Sequence, residues 1–356
     1  MMQISPETQL FIREHSSDDV RVLALQAKKY PDIDMPTAIT QIAGRKVAAE
    51  KIPSWWEIEK IWYPKHLSLE QCSSEITARY KARLLQGDSL TDLTGGFGID
   101  CSFLATGFKS ATYVERQEEL CEIAAHNFPV LNLNHINIKN EDGVTYLQAM
   151  SPVDCLFLDP ARRNEHGGKT VAISDCEPNV AELEELLLQK ANRVMIKLSP
   201  MLDLSLALKE LKQTQEVHIL SVNNECKELL ILLGQTSPTE ISIHCVNLST
   251  KGTQEEQHFV FTREQEQCSE CTYTDSLETY LYEPNASLLK AGAFRSIAAA
   301  YPVRKLHPNS HLYTSDTFIE NFPGRIFRIV NQCSFNKKEV KENLADLKKA
   351  NVTVRN

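Results

Sequence analysis

A chain of 356 residues is long enough for two or three domains and an ample packed core. Hydrophobic residues at 42% and charged residues at 24% are ordinary for a soluble globular protein, and no apolar run approaches the roughly 18 residues a membrane span needs. The net charge of −9, taken as one sum, argues against a nucleic-acid partner.

The opening MMQISPETQLFIREH has neither the basic nor the apolar region of a secretion signal. Ten scattered cysteines then read as reduced thiols of a cytoplasmic protein. The charge is unevenly spread. Residues 281–356 carry twelve Lys and Arg against six Asp and Glu, a local +6, and the 280 residues before them hold 26 basic and 41 acidic side chains, a local −15. The basic part is either a phosphate-backbone contact surface or a chance asymmetry with a solvated helix.

Residues 1–86 read as helical. Apolar spacing puts helices over 18–29 and 36–50. Trp55, Trp56, Ile58, Ile61 and Trp62 form an aromatic cluster ended by Pro64, which suits core packing better than a ligand platform. One further helix is expected over 68–85. Its Gln71, Ser74, Glu75 and Lys81 are either a solvated face or cofactor contacts, because this helix delivers the chain to a glycine-rich turn.

That turn lies in L-T-D-L-T-G-G-F-G-I-D, residues 90–100. A short strand ends at Asp92, the turn holds Gly95, Gly96 and Gly98, and a helix begins at about Ile99. Glycines let backbone N–H groups approach a ligand, and a helix N-terminus points free N–H groups at it. The pattern alone also describes ordinary tight turns, so its meaning depends on the residues downstream.

Strands and helices then alternate. Strands are expected over 89–94, 111–115, 136–140, 153–159, 194–198 and 217–222, with helices over 117–127 and 182–191. Alternation of this kind predicts an α/β, parallel, doubly wound sheet. The last unit differs: 217–222 is followed by N-N-E-C-K and a second apolar run over 228–233. The link is too short for a crossover and predicts an antiparallel hairpin. Two more strand-like runs, 240–246 and 258–262, flank a polar turn at Lys251–Gly252. Cys268 and Cys271 form the only C-x-x-C and lack a second pair at zinc spacing, so no metal centre is expected. From 276 the chain reads as a small α+β module, with a helix over 285–300, a strand over 325–330, a basic helix over 337–350 and a strand over 352–355. The expected domains are 1–86, 87–238, a β-hairpin extension 239–275, and 276–356.

Asp92 to Glu115 spans 23 residues, and Glu115 ends the second strand where a carboxylate accepts hydrogen bonds from ribose hydroxyls. A carboxylate there repels a 2′-phosphate, which argues against NADP. Asp142 follows the third strand and can accept from an adenine amino group. Asp159 ends the fourth in L-D-P-A-R-R, where open α/β sheets bind ligands. Any one of these acids could be a helix cap or a loop residue. Four after four successive strands point to a nucleoside-containing cofactor.

D-L-T-G-G-F-G-I-D, V-E-R and L-D-P-A-R-R together resemble class I S-adenosylmethionine-dependent methyltransferases. More narrowly, they resemble a bacterial group in which the catalytic domain is followed by ferredoxin-like and THUMP-like domains. E-Q-C-S-S-E-I-T-A-R-Y-K-A at 70–82, E-P-N-A-S-L-L-K-A-G at 283–292 and F-P-G-R-I-F at 322–327 are similar to that group too. The resemblance spans nearly the whole chain, and because the group's C-terminal module runs further, it implies a truncated chain. The glycine corner is also similar to that of enzymes methylating guanine N2 in RNA.

The resemblance implies a Rossmann-like class I methyltransferase sheet of seven strands, the last antiparallel, with a helical N-terminal region and a small C-terminal α+β module. It implies S-adenosylmethionine as cofactor, with Asp92, Thr94, Gly95, Gly96 and Gly98 at the methionine end, Glu115 on the ribose and Asp142 on the adenine. Phe97, Asp100, Gln71 and Lys81 are further cofactor candidates. Asp159, Pro160 and Arg162 match the motif beside the transferred methyl and are the catalytic candidates, with Arg163, Lys197 and Ser199 as substrate contacts. Methyltransferases of exocyclic amines often carry N-P-P-[YFW] there; this chain has Ala161 and Arg162, which leaves the acceptor atom open, since Arg can stack on a base or clamp a phosphate.

The implied activity is methylation of a base in tRNA or rRNA, with 276–356 docking the RNA and no membrane partner. A methyltransferase of a small molecule or protein, a non-catalytic module on the same scaffold, and an NAD-linked dehydrogenase, disfavoured by the hairpin, stay as alternatives. No pattern in the sequence encodes the oligomeric state.

Overall fold

Six helices lead into the sheet: α1 (Pro6–Glu14), α2 (Val20–Leu25), α3 (Met35–Lys51), α4 (Pro53–Trp56), α5 (His66–Gln71) and α6 (Glu75–Ala82). Ser5, Asp19 and Asp34 cap the first three, each side chain accepting from a first-turn N–H. Phe11, Leu23, Met35, Ala38 and Ile42 form the helices' own core. Trp55, Ile61, Tyr63 and Leu69 pack instead on Phe97, Ile99, Leu120 and Ile123, which docks the helical layer against the glycine corner. The structure is a computed structural model that describes residues 4–162, 172–236, 238–250, 256–334, 336–345 and 349, with Arg162 as backbone only. Within it the chain divides into units 1–262 and 263–356.

Two expected helices are shorter than their apolar spacing predicts. The helix over 18–29 is α2 followed by a 3-10 turn at Ala27–Lys29. The helix over 68–85 is two helices, broken at Cys72–Ser74, where Cys72 and Ser74 are extended. The break has a polar cause: the Ser73 hydroxyl turns inward to buried charges instead of lying on a helix surface.

The sheet follows through β1 (Ser89–Asp92), α7 (Ile99–Ala105), β2 (Ser110–Glu115), α8 (Glu118–Val130), β3 (Ile136–Asn140), α9 (Gly143–Ala149) and β4 (Val153–Leu158). A two-stranded ribbon of β5 (Ala161–Arg162) and β6 (Cys176–Glu177) comes next, then α10 (Val180–Lys190), β7 (Ala191–Leu198), α11 (Leu204–Glu210), β8 (Thr214–Val222) and β9 (Glu225–Gly234). β10 (Ser242–Leu248) and β11 (Glu256–Thr262) complete it, in the order β11-β10-β8-β9-β7-β4-β1-β2-β3. The strands from β3 to β7 are parallel, and β9 runs antiparallel between β7 and β8. Asn223 and Asn224, both at positive φ, make the two-residue turn between β8 and β9. Leu229 to Leu233 on β9 are fully buried, as expected of a strand covered on both faces.

The sheet has nine strands, not seven. β10 pairs in parallel with β8, and β11 pairs antiparallel with β10. The expected hairpin extension is therefore an extension of the sheet itself, because β8 presents an unpaired edge and β10 supplies Ile243, Cys245 and Val246 to cover it. Lys251–Gly252 lies outside the described residues. Among the described residues no helix is long and apolar enough to cross a membrane.

The second unit holds α12 (Arg263–Cys268), β12 (Tyr280–Pro284), α13 (Ala286–Ala291), α14 (Phe294–Ala300), β13 (Arg304–Lys305), β14 (Tyr313–Ser315), β15 (Gly324–Arg328) and α15 (Lys337–Asn343). Its antiparallel sheet has the order β13-β14-β12-β15 and buries Tyr282, Tyr313 and Phe322. The helix expected over 285–300 is split: Asn285 caps α13, and Gly292 at φ 76 ends it. α15 covers the first half of the helix expected over 337–350; the strand expected over 352–355 lies outside the described residues.

Candidate cofactor and catalytic cleft

The C-terminal ends of β1, β2, β4 and β7 open onto one cleft, walled on the other side by α5, α6 and the break between them. Asp92 ends β1 and is 1% exposed. Its Oδ1 accepts the Thr94 N–H at 3.0 Å, while Oδ2 is buried with no hydrogen-bond partner among the described residues. Burial, reinforced by the nearby Asp100, Asp159 and Glu115, pushes the Asp92 carboxyl up to about 8 against the pull of the Thr94 N–H.

Gly95 has no room for a side chain, since a Cβ would sit 2.3 Å from the Tyr113 ring. The Tyr113 hydroxyl in turn donates to the Gly96 carbonyl at 2.5 Å, and Gly98 enters α7 at φ 87, a left-handed conformation suited to glycine. Gly96 N–H donates to Glu115 Oε2 at 2.9 Å and Gln117 N–H to Oε1 at 2.8 Å, so the end of β2 is tied to the corner. Phe97 is buried with its ring edge-on to Trp55 at 5.2 Å, and it also borders the cleft. Asp142 is exposed and caps α9: Oδ1 accepts from Val144 and Thr145 N–H. Its Oδ2 faces none of these donors.

Below the cleft lies a chain of buried charges. Lys81, fully buried on α6, contacts Asp100 Oδ1 at 3.0 Å and Glu228 Oε2 at 2.5 Å. Ser73 donates to Asp100 Oδ2 at 2.7 Å and accepts from Lys81 at 2.9 Å and Lys197 at 3.1 Å. Lys197 on β7 reaches Asp159 Oδ2 at 2.6 Å and Asp100 Oδ2 at 3.5 Å. Burial alone would lower the Lys197 ammonium, but Asp159, Asp100 and Glu228 outweigh it and hold it well above its ordinary value. Burial would raise Asp100, and Lys81 and Lys197 overcome that and keep it low. Asp159 is the member that faces the cleft, with its side chain 37% exposed. The cleft walls lift its carboxyl above the ordinary value, with Lys197 opposing. Its N–H donates to Thr94 Oγ1 at 2.6 Å, which locks the β4 end to the glycine corner.

Asp92, Thr94, Gly95, Gly96, Gly98, Glu115, Asp142 and Asp159 thus border one cleft, with Phe97, Asp100, Pro160, Lys197, Ser199 and Gln71. Gln71 is exposed at the end of α5, and Pro160 is buried. Lys81 sits behind the wall, among carboxylates, and is not among the residues lining the cleft. The Arg162 side chain and Arg163 lie outside the described residues. Sequence patterns did not single out Ser73 or Glu228. Glu228 had one signal, a carboxylate at the head of the apolar run over 228–233; Ser73 had none, since it sat inside an apparently continuous helix.

The β3-β2-β1-β4-β7 parallel block with β9 reversed beside it, and a cleft of acids at the strand ends, define the Rossmann-like methyltransferase fold. A crystal structure described as a "putative methyltransferase from Porphyromonas gingivalis W83" is 34% identical and covers 97% of this chain and 87% of its own, with a TM-score of 0.84. The chain belongs to the family of that Porphyromonas gingivalis protein. A family described as a ferredoxin-like domain matches residues 280–323, from β12 to the residue before β15. An rRNA methylase from Streptococcus thermophilus is 14% identical, covering 45% of this chain and 93% of its own, with a TM-score of 0.33, too low to carry an argument. No curated protein matches the chain.

Proposed function

We propose that this protein is an S-adenosylmethionine-dependent methyltransferase whose acceptor is a base in RNA. One observation carries the cofactor reading: the buried, unpartnered Oδ2 of Asp92 beside a cleft floor in which two ammoniums, Lys81 and Lys197, meet three carboxylates, Asp100, Asp159 and Glu228. A floor with a surplus carboxylate favours a cationic ligand and opposes the pyrophosphate of a dinucleotide. The ammonium of the methionine moiety suits Asp92 Oδ2. Glu115 would offer a lone pair on each oxygen to ribose hydroxyls, and Asp142 Oδ2 would accept from an adenine amino group.

The bound sulfonium supplies an already activated methyl group. The chain's part is to align the acceptor and keep water out. Asp159 does the aligning: Thr94 fixes its backbone, Lys197 holds Oδ2, and Oδ1 is left to orient an acceptor N–H and take up its proton as the methyl arrives. Pro160 stiffens the turn behind it.

The basic balance of residues 281–356 supports RNA as the acceptor. Arg304 pairs with Glu278, Arg325 with Glu283, and Lys305 donates to the Pro308 carbonyl, so these three serve the unit's own structure. Arg328, Lys337, Lys338 and Lys341 are exposed and suited to phosphate contacts. In this reading the enzyme works in the cytoplasm on tRNA or rRNA, and residues 276–356 are the ferredoxin-like and THUMP-like module that docks it. The test is a mass-spectrometric comparison of modified nucleosides in total RNA with and without the gene. Loss of one methylated nucleoside is expected; an unchanged profile overturns the RNA acceptor.

A further inference from the structure

β8, β10 and β11 bring a second group of polar side chains onto one sheet face, and none of them lines the cleft. Glu216 and His218 are two apart on β8 and so share a face. His244 on β10 is the register partner of His218, and His258 on β11 pairs with Val246, two residues further along β10. One ligating atom each of Glu216, His218 and His244 lies within 4.8 Å of the others.

The contacts sort the ligand atoms. His218 Nδ1 is 2.8 Å from the Tyr80 hydroxyl, Glu216 Oε1 accepts from Arg193 at 2.8 Å, and His244 Nδ1 is 3.1 Å from His258 Nε2. Each side chain thus has one partner outside the trio, as ligands of a metal usually do, while His218 Nε2 and Glu216 Oε2 face each other. Glu216 Oε2 and His218 Nε2 are 3.3 Å apart. Two ligands bound to one tetrahedral zinc at about 2.0–2.1 Å stand about that far from each other. The His244 ring lies stacked on His218, centroids 4.2 Å apart and 16° from parallel, so closing on an ion takes a turn of the His244 ring about its Cβ–Cγ bond that gives up the His258 contact.

We propose that Glu216, His218 and His244 bind a divalent ion of the zinc class, with a fourth position left to water. Imidazole and carboxylate donors suit zinc, and three imidazoles beside one carboxylate exceed what a simple Glu–His hydrogen bond requires. The ion would tie β8 to β10, one strand in from the sheet's edge. Through Tyr80 it would also fix α6, whose next residue, Lys81, reaches under the cleft.

The full chain, stripped with a chelator and desalted, is titrated with Zn²⁺ alone by calorimetry. Glu216→Gln, His244→Ala and a Cys268→Ser/Cys271→Ser variant are run beside it. Wild type and the cysteine variant are expected to take one ion per chain, with binding weakened at least ~10-fold in each of the other two. Glu216→Gln preserves shape, which separates ligand loss from misfolding. No zinc uptake by wild type, or uptake lost with the cysteines but kept in Glu216→Gln and His244→Ala, overturns the proposal.

Discussion

Lys197 Nζ stands 2.6 Å from Asp159 Oδ2, and this ion pair joins the mouth of the cleft to its buried floor. Lys197 also touches Ser73 and Asp100, so Asp159 is held by a network and not by one partner. Removing the ammonium takes away the main opposition to burial and like charge, with only the weaker pull of Lys81 still opposing them, and the Asp159 carboxyl should titrate higher still. Lys197→Met is expected to lower kcat by about 10²- to 10³-fold, the range for losing one electrostatic group at a reacting centre. The acid limb of its pH–rate profile should move to higher pH. A profile identical to wild type would remove Lys197 from any role on Asp159.

Lys81 is fully buried with Asp100 and Glu228 against it. Breaking a buried pair from one side leaves an uncompensated charge. Lys81→Met should therefore destabilise the chain by about 3–5 kcal/mol in a urea titration. Adding Glu228→Leu should recover part of that loss, so the double variant is expected to be more stable than additivity predicts.

Asp92 gives a pH signature. Its carboxyl, ordinarily 3.8, is raised to about 8 by burial. Between those values the native state holds a proton that the unfolded chain releases, so this group's contribution to stability falls as pH rises through the window. A cationic ligand on Oδ2 must displace that proton. Affinity should then rise about tenfold per pH unit up to about pH 8. Calorimetry in two buffers of different ionisation enthalpy should show about one proton released near neutral pH, and Asp92→Asn should show neither effect.

Gly95→Ala places a methyl 2.3 Å from the Tyr113 ring, which is buried and cannot swing because its hydroxyl is bonded to Gly96. The expected cost is about 1–3 kcal/mol of stability, read as a lower Tm, together with weaker S-adenosylhomocysteine binding.

The glycine corner and the acids after each strand are visible in the sequence because they are local. Asp92, Glu115 and Asp142 follow from strand ends, and the β8–β9 hairpin follows from a two-residue Asn turn. What the sequence hid depends on pairing across the fold. Ser73 broke an apparent helix because Asp100, 27 residues on, draws its hydroxyl inward. Lys81 and Glu228 meet across 147 residues, so no spacing rule joins them. β10 and β11 pair antiparallel, and β10 docks on β8 through edge pairing that local pattern does not record. Gly292 split the helix after Asn285 although its alanine-rich flanks favour continuity.

The central claim is that this cleft takes S-adenosylmethionine. Calorimetric titration of the full chain with S-adenosylhomocysteine, beside NAD, tests it most directly. One saturable site for the homocysteine, sharply weakened in Glu115→Ala, and no binding of NAD are the predicted results. Saturable binding of NAD with none of S-adenosylhomocysteine would contradict the account.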